Sequence, residues 1–330
     1  MLTTILVDVV RSAILLGGVL TAFAYVTLLE RRLLARFQLR VGPNRVGPFG
    51  LLQPLADGIK LIFKESFIPA GADRFVYIAA PIISVVAALF VYAVIPIGPP
   101  IRLFGREVTL YVADVNVGIL LVLAASSVGV YGIILGGWAS DSKYSLLGGL
   151  RSSAQVVSYE LTLGLAVLAV VMMANSLSLV DIVRAQTHRW FIVTQPLAFL
   201  LFLIAGLAET NRAPFDLPEA EQELIAGYQT EYGGFAFAMF YLAEYVGVIT
   251  MGALSATLFL GGWQGPLLPP VLWFLVKVFA VVCVFIWIRA TLPRLRYDQL
   301  MGFGWKVLVP VGLANLAVTA IFLVWRGGTG

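Results

Sequence analysis

The chain has 330 residues, of which 60% are hydrophobic and 12% are charged, and its mean hydropathy is +0.94. Soluble domains carry about 25% charged residues, so the composition excludes a soluble protein and predicts an integral membrane protein. The net charge of +4 does not indicate nucleic-acid binding, because membrane proteins use Lys and Arg to set topology and no basic helix occurs here. With one cysteine, Cys283, and one histidine, His188, no zinc site, iron–sulfur cluster or disulfide framework is expected. Any redox cofactor is therefore expected in a partner.

Eight apolar runs are predicted as membrane spans. A hydrocarbon core about 30 Å thick requires a helix of about 20 residues, whereas a membrane β-barrel would show alternating segments of about ten residues. The runs cover residues 12–29, 75–96, 112–137, 156–174, 196–208, 235–260, 271–290 and 306–325. The fifth run is short, so its helix is expected to extend back to Trp190 or forward through Glu209. The sequence therefore predicts an all-α fold, with one polytopic membrane domain over residues 1–330.

Most of the Lys and Arg residues outside the spans fall on one side of the membrane. Alternating eight spans places the connections of residues 30–74, 138–155, 209–234 and 289–305 together on that side. The positive-inside rule then predicts that these connections are cytoplasmic and that both termini lie outside. Because no basic region precedes the apolar N-terminus, it is predicted to remain as the first span.

The first cytoplasmic connection contains a further predicted helix over residues 51–65. Its apolar residues share one helical face and its charged residues lie elsewhere. These sets are Leu55, Ile59, Ile62 and Phe63 on one face, and Asp57, Lys60 and Lys64 away from it. This pattern is typical of an amphipathic helix at the membrane surface.

Residues 208–232, AETNRAPFDLPEAEQELIAGYQTEY, concentrate negative charge between two apolar runs. Six of the eighteen acidic residues lie here, namely Glu209, Asp216, Glu219, Glu221, Glu223 and Glu231. A charge near the bilayer core costs several kcal/mol, so clustered carboxylates favour a water-filled cavity or a proton path. Helical spacing places Glu219 and Glu223 on one face and Glu221 about 200° from Glu219. The alternative interpretation is a solvated acidic loop.

Carboxylates also occur within or at the ends of predicted spans. Glu160 and Glu244 have apolar neighbours on both sides, and Glu209 follows the fifth run. Carboxylates that share water in such a place have coupled protonation and suit proton relay. The alternative is that each one is paired with Arg or Lys and only fixes helix packing.

A basic group lies at the cytoplasmic end of the seventh span, in the motif IRATLPRLRYDQL. It consists of Arg289, Arg294 and Arg296. Guanidinium groups at this place would orient a polar headgroup or pair with the acidic segment. Alternatively, they act only as topology determinants.

Five motifs carry a resemblance to a known family. They are ERRLLARFQLRVGPNRVGPFGLLQPLADGIKLIFKE, GWASDSKYSLLGGLRSSAQVVSYE, AETNRAPFDLPEAEQELIAGYQTEY, AEY and IRATLPRLRYDQL. Over nearly its whole length the chain resembles the H-type membrane subunit of bacterial respiratory complex I, the proton-pumping NADH:quinone oxidoreductase of the cell membrane. The resemblance implies a subunit under the junction with the hydrophilic arm, forming most of the chamber through which a lipid quinone, ubiquinone or menaquinone, approaches an iron–sulfur cluster. Flavin mononucleotide and iron–sulfur clusters would lie in the arm subunits, and small membrane subunits would lie alongside.

The resemblance also implies roles for individual residues. The carboxylates of the proton path correspond to Glu160, Glu209, Glu219, Glu221, Glu223 and Glu244, with Asp57 and Glu231 nearby. The arginines of the loop and chamber correspond to Arg31, Arg32, Arg36, Arg289, Arg294 and Arg296. Some relatives have a further glutamate in the third span where this chain has Ser126–Ser127–Val128. Here water or the serine hydroxyls would take its place.

Two alternative functions remain open. The related membrane anchor subunit of energy-converting nickel–iron hydrogenases needs no quinone, and a lipid-accessible chamber beside residues 51–65 would favour the quinone enzyme instead. An independent secondary transporter is disfavoured, because the paired interrupted helices of many transporters are not evident.

Overall fold

The fold is a bundle of long helices, seen in a computed structural model that describes residues 2–103, 106–217 and 225–327. The helices are α1 (Leu2–Phe37), α2 (Gln53–Phe63), α3 (Arg74–Phe90), α4 (Gly118–Ala139), α5 (Lys143–Ala174), α6 (Leu179–Ala185), α7 (Phe191–Thr194), α8 (Pro196–Glu209), α9 (Gly234–Phe259), α10 (Pro270–Thr291), α11 (Tyr297–Phe303) and α12 (Val309–Gly327). In this part of the chain, seven helical segments are long and apolar enough to cross a membrane. The prediction of an all-α polytopic membrane protein is therefore confirmed.

Irregular helical turns and one hairpin complete the described elements. The 3₁₀ turns are Pro48–Gly50, Val91–Ala93 and Gly227–Gln229, and a π-helical turn over Gly304–Leu308 joins α11 to α12. Strands β1 (Ile101–Leu103) and β2 (Arg106–Val108) form an antiparallel hairpin between α3 and α4. This hairpin is not predicted from the sequence.

The fifth predicted span is the short helix α8, which has 14 residues. At about 1.5 Å per residue it rises about 21 Å, less than the thickness of a hydrocarbon core. It runs forward through Glu209, which is one of the two predicted extensions. Toward Trp190 the helix is interrupted at Gln195, because Pro196 lacks an N–H and disfavours a helical conformation in the residue before it. The segment before the break forms the separate helix α7.

Two connections predicted as loops are largely helical. α5 begins at Lys143 rather than Val156, so only residues 140–142 separate it from α4, and Asp141 turns the chain there with φ 50°. α11 lies within the predicted connection of residues 289–305. Charged residues mark the end of an apolar run, but a helix continues through them when they lie on an exposed face. For the same reason α1 continues to Phe37, beyond the predicted end at Leu29.

The predicted amphipathic helix is α2, and it packs beside α1 and α9. Leu55, Ile59, Ile62 and Phe63 are between 49% and 83% exposed. The apolar face therefore points away from the bundle, while Asp57 turns toward α1, where it accepts a hydrogen bond from Arg31. This orientation suits a helix that presents its apolar face to lipid.

The centre of the bundle is formed by α5 and α9. In their most apolar stretches, 50% of the residues of α5 and 56% of those of α9 are buried. The corresponding fractions are 11% for α1 and 17% for the segment Tyr297–Trp325. α8 fits against this centre through Ala198, Phe202 and Ala205, which are fully buried. Small residues allow such close helix packing. The acidic segment therefore leaves α8 from the interior of the bundle.

Candidate functional site

A cavity of about 120 Å³ lies between α3, α4, α8 and α9. Glu209 and Glu244 both line it, although they come from different helices. Its other polar lining residues are Ser84, Ser126, Thr210, Asn211 and Thr250. The rest of the lining is mainly apolar, and the volume is large enough for several water molecules at these polar positions. We call it the carboxylate cavity.

Glu209 is the less satisfied of the two carboxylates that line the cavity. Its Oε2 atom is buried and makes no hydrogen bond within the described part of the chain. No ion pair within 4.0 Å involves Glu209 or Glu160 among those residues. The alternative of fixed pairing with Arg or Lys is therefore not supported for these two carboxylates.

Two adjacent serines on α4 lie between Glu160 and Glu209. Ser127 donates a hydrogen bond to Glu160, and Ser126 lines the carboxylate cavity together with Glu209. Each hydroxyl also contacts the Leu123 carbonyl, at 3.0 Å for Ser127 and 3.2 Å for Ser126. Because a hydroxyl has one proton and also accepts, it can exchange partners and pass a proton.

Arg212 joins the carboxylate cavity to two further helices. Its Nε lies 2.7 Å from Glu244 Oε1 and its Nη1 lies 3.3 Å from Glu30 Oε1. Arg289 forms an ion pair with the same Glu30 oxygen. Arg212 is 8% exposed and Glu30 is 5% exposed, so these charges neutralise one another away from solvent. Glu244, unlike Glu160 and Glu209, is therefore paired with a cation.

The electrostatic balance at Arg212 favours its charged form. Burial acts to lower the pKa, but Glu244, Glu30 and Tyr245 outweigh it and raise the pKa of Arg212 well above its ordinary value. The guanidinium carbon lies 4.1 Å from the centre of the Tyr245 ring, which adds a cation–π contact. Arg212 is thus a permanent positive charge at the edge of the cavity.

A second, larger cavity of about 320 Å³ lies between α1, α2, α3 and α9. Most of its lining is apolar, including Phe23, Leu61, Ile62, Val85, Phe235, Met239 and Leu242. Its polar positions include Arg31 and Asp57, which are 2.8 Å apart, and Tyr241 of α9. We call it the apolar chamber. It lies beside the amphipathic helix α2, where a lipid-accessible chamber would favour a quinone enzyme.

Comparison with known proteins decides the family. A profile of the NADH dehydrogenase family matches residues 10–320. The chain is 56% identical over 326 residues to the H-type subunit of the NADH-quinone oxidoreductase of Syntrophotalea carbinolica, with 99% of each chain covered. It belongs to the family of NADH-quinone oxidoreductase H-type subunits.

Two further relatives of the same name support this assignment. The chain is 56% identical over 325 residues to the H-type subunit of Thermomicrobium roseum, covering 96% of this chain and 95% of the relative. It is 53% identical over 340 residues to that of Deinococcus deserti, covering 100% of this chain and 87% of the relative. The similarity to H-type subunits thus extends over the whole bundle, including both cavities.

Other residues predicted to act in this H-type subunit lie around these two cavities or on the exposed surface. Arg32 donates to the Phe49 carbonyl and braces the loop between α1 and α2. Arg36 is exposed at the end of α1, and Arg296 pairs with Asp298 at 2.8 Å on the surface. Arg289 is joined to Glu30, whereas Arg294 lies in the short stretch between α10 and α11.

The acidic segment of this H-type subunit is only partly described. Glu219, Glu221 and Glu223 lie outside the described residues. Glu231 follows them, and its backbone carbonyl accepts a 2.7 Å hydrogen bond from the Tyr77 hydroxyl. The prediction that Glu219 and Glu223 share a face therefore remains a prediction.

Both flanks of the acidic segment are anchored. Gln155 of α5 is fully buried, and its Nε2 donates to the carbonyls of Ala208 and Phe215, each at 2.8 Å. On the other flank the Tyr232 ring stacks on Tyr77 with centroids 4.1 Å apart. These contacts hold Glu209 at the cavity and return the chain toward α9.

Sequence reasoning missed several members of the site. In the sequence, Glu30 is only the first residue of the predicted connection 30–74, and Gln155 is only the last residue of the predicted connection 138–155. Tyr241 lies three positions before Glu244 and four positions before Tyr245, so it neighbours both of them on α9. This helical spacing is the one signal in the sequence that points to the two tyrosines.

Proposed function

We propose that this chain is the membrane subunit of a proton-translocating NADH-quinone oxidoreductase that forms the quinone chamber and links quinone reduction to proton movement. The observation that carries the proposal is the pairing of an apolar chamber with a buried carboxylate cavity in one bundle. Membership of the H-type subunit family supports it. Flavin mononucleotide and iron–sulfur clusters belong to partner subunits of the hydrophilic arm, because a single cysteine and a single histidine offer too few ligands for a cluster.

The apolar chamber suits the lipid-like tail of a quinone. Its walls are mostly apolar, while Arg31 and Asp57 provide polar contacts at the level of α2. The exposed apolar face of α2 would lie in the headgroup region of the bilayer beside the chamber. A quinone would enter there from the lipid and reach the arm subunits that complete its headgroup site.

Reduction of the quinone creates a demand for protons. The quinone takes up two electrons and two protons to give the quinol, and charge that appears before the protons arrive changes the proton affinity of nearby groups. Glu244, Glu209 and Glu160 are placed to respond, since Glu244 and Glu209 share a cavity and the serines lie between Glu209 and Glu160. We assign the remaining predicted carboxylates, Asp57, Glu219, Glu221, Glu223 and Glu231, to the entrance of this path.

The arginines have two roles in the proposal. Arg289 and Arg212 hold compensating charge beside the path, because both pair with Glu30. The arginines that are at least partly exposed would dock arm subunits or anionic headgroups on the cytoplasmic side; these are Arg31, Arg32, Arg36, Arg294 and Arg296. Small membrane subunits would receive the protons laterally, in a bacterial cell membrane.

The decisive experiment replaces Glu209 by Gln in the assembled complex. Because Gln keeps the shape but cannot exchange a proton, we expect proton translocation and coupled quinone reduction to fall together, by about ten-fold or more. NADH-driven acidification of reconstituted vesicles and quinone reduction would be measured in parallel. Asp181→Asn is the matched control, because Asp181 is an exposed carboxylate on α6. Unchanged proton translocation in Glu209→Gln would remove this carboxylate from the path.

The runner-up function, a membrane anchor of a nickel–iron hydrogenase-type complex, is less well supported. It needs no quinone, whereas an apolar chamber lies beside α2. The native complex should therefore oxidise NADH with a quinone. Hydrogen evolution by that complex would instead favour the runner-up.

A further inference from the structure

The apolar chamber and the carboxylate cavity meet at one turn of α9. Tyr241 lines the chamber, and Glu244, three residues later, lines the cavity. Residues three and four apart on a helix are neighbours on one face. The two cavities are therefore separated by little more than the side chains of this turn.

A continuous series of polar contacts crosses this turn. The Tyr241 hydroxyl donates to the Tyr245 hydroxyl at 2.8 Å. The Tyr245 ring lies against the Arg212 guanidinium, 4.1 Å from ring centre to Cζ. Arg212 Nε in turn lies 2.7 Å from Glu244 Oε1 in the carboxylate cavity. Every step joins side chains that are buried or half-buried.

We propose that Tyr241 and Tyr245 form a hydrogen-bond switch that reports the state of the apolar chamber to the Arg212–Glu244 pair. This inference rests on the proposed function, and it assigns to that function the residues that link its two cavities. The ligand class is a quinone whose headgroup passes through the chamber on its way to the arm subunits, because its carbonyl oxygens accept hydrogen bonds and become stronger acceptors as they gain negative charge.

The switch follows from the single proton of a phenol. Tyr241 can donate either to Tyr245 or to an acceptor in the chamber, but not to both at full strength. When an acceptor in the chamber takes this hydrogen, the Tyr245 hydroxyl loses its donor and is free to turn toward another partner. The electrostatic field at Arg212 then changes, and the strength of the Arg212–Glu244 ion pair changes with it. No covalent bond is made or broken in this step.

The alternative is that the two tyrosines serve only as packing aromatic rings. Phe23 lies edge-on to both, with centroids 6.4 Å from Tyr241 and 6.1 Å from Tyr245, and Phe237 stacks on Tyr241. These ring contacts do not require hydroxyl groups. Replacing Tyr by Phe therefore keeps the packing and removes only the proposed switch.

The switch predicts different effects for the two positions. Tyr241→Phe removes the donor to the chamber, so the KM for quinone should rise by about five-fold, the value of one hydrogen bond of about 1 kcal/mol. Tyr245→Phe leaves Tyr241 with no competing acceptor, so the KM should stay equal or fall. Both variants should lower the number of protons translocated per electron, because the contact between Tyr245 and Arg212 no longer responds to the state of the apolar chamber.

The measurement uses the whole complex in sealed vesicles, with quinone reduction and proton translocation recorded on the same preparation. Tyr131→Phe is the matched control, because Tyr131 is 61% exposed on α4. Equal KM changes in both variants, or unchanged protons per electron in both, would overturn the switch. If Glu209→Gln still lowers translocation in that case, the proposed function stands and only this inference fails.

Discussion

At the scale of single residues, Arg212 determines the arrangement of charge in the bundle. It is buried, yet it contacts Glu30, Glu244 and the Tyr245 ring. A buried charge is tolerated only when it is paired, because removing one partner leaves an uncompensated charge at a cost of about 3–5 kcal/mol. Arg212, the one cation in the sequence of the acidic segment, therefore lies where α1 supplies Glu30 and α9 supplies Glu244.

The serine pair gives a prediction at the same scale. Replacing Ser127 by Ala removes the hydroxyl that contacts Glu160, so proton translocation should fall by about five-fold if one hydrogen bond of about 1 kcal/mol is lost from the path. Ser127→Thr keeps a hydroxyl and should retain more activity. Vesicle acidification driven by NADH would measure both variants.

The control for this prediction is Ser255→Ala. Ser255 is fully buried on α9, and its hydroxyl bonds only to the Met251 carbonyl of its own helix, at 2.8 Å, among the described residues. A similar loss of translocation in Ser255→Ala would indicate a general packing effect. A Ser127→Ala variant that translocates normally would mean that water alone connects Glu160 to Glu209.

At the scale of elements, α5 is the helix that contacts and anchors both flanks of the acidic segment. Gln155 holds the flank that leaves α8. Gly148 contacts the turn on the other flank so closely that an added Cβ would lie 2.7 Å from Tyr228 N and 2.8 Å from Gly227 Cα. Both contacts come from the part of α5 that the sequence analysis assigned to a loop. The extension of α5 beyond its apolar run therefore positions the segment.

Gly148→Ala should consequently destabilise the bundle. The new methyl group meets backbone rather than a flexible side chain, and overpacking of this kind typically costs about 1–3 kcal/mol. Gly164→Ala on the same helix is the control, because no atom of the described residues lies within 4 Å of its added Cβ. There the higher helix propensity of Ala should be neutral or favourable, by up to about 1 kcal/mol.

The midpoint of thermal unfolding of the purified complex would compare these two glycine variants. We expect a lower midpoint for Gly148→Ala and an equal or higher one for Gly164→Ala. Equal midpoints would mean that the turn over Gly227–Gln229 moves to accommodate the methyl group without loss of stability. The turn would then not anchor the acidic segment.

At the scale of the whole molecule, the distribution of Lys and Arg predicts the orientation in the membrane. The connection of residues 140–142 should lie in the cytoplasm and the α6–α7 connection outside. In a Cys283→Ser background, a membrane-impermeant maleimide should label His188→Cys in spheroplasts. Lys143→Cys should be labelled only in inside-out vesicles. The reverse labelling pattern would mean that the predicted topology is inverted, and that the orientation of the carboxylate cavity in the membrane is inverted too.

Much of this architecture follows from the sequence alone. Composition, the apolar runs and the period of residues 51–65 predicted a polytopic α-helical membrane protein with an amphipathic helix, because these features depend on neighbouring residues and on the surrounding lipid. Glu160, Glu209 and Glu244 were identified because carboxylates are rare in spans. The helix ends were less predictable, since hydropathy reports where lipid contact ends and not where backbone hydrogen bonding ends.

Only the tertiary structure decided which groups meet. Glu30 and Arg289 form an ion pair although 259 positions separate them, and Arg212 reaches Glu30 across 182 positions. No local pattern encodes such pairs, because their proximity depends on how α1, α9 and α10 pack. The separation of an apolar chamber from a carboxylate cavity by one turn of α9 has the same origin. Each cavity forms only when four or more helices pack around it. The sequence of a single segment does not determine how the other helices pack against it.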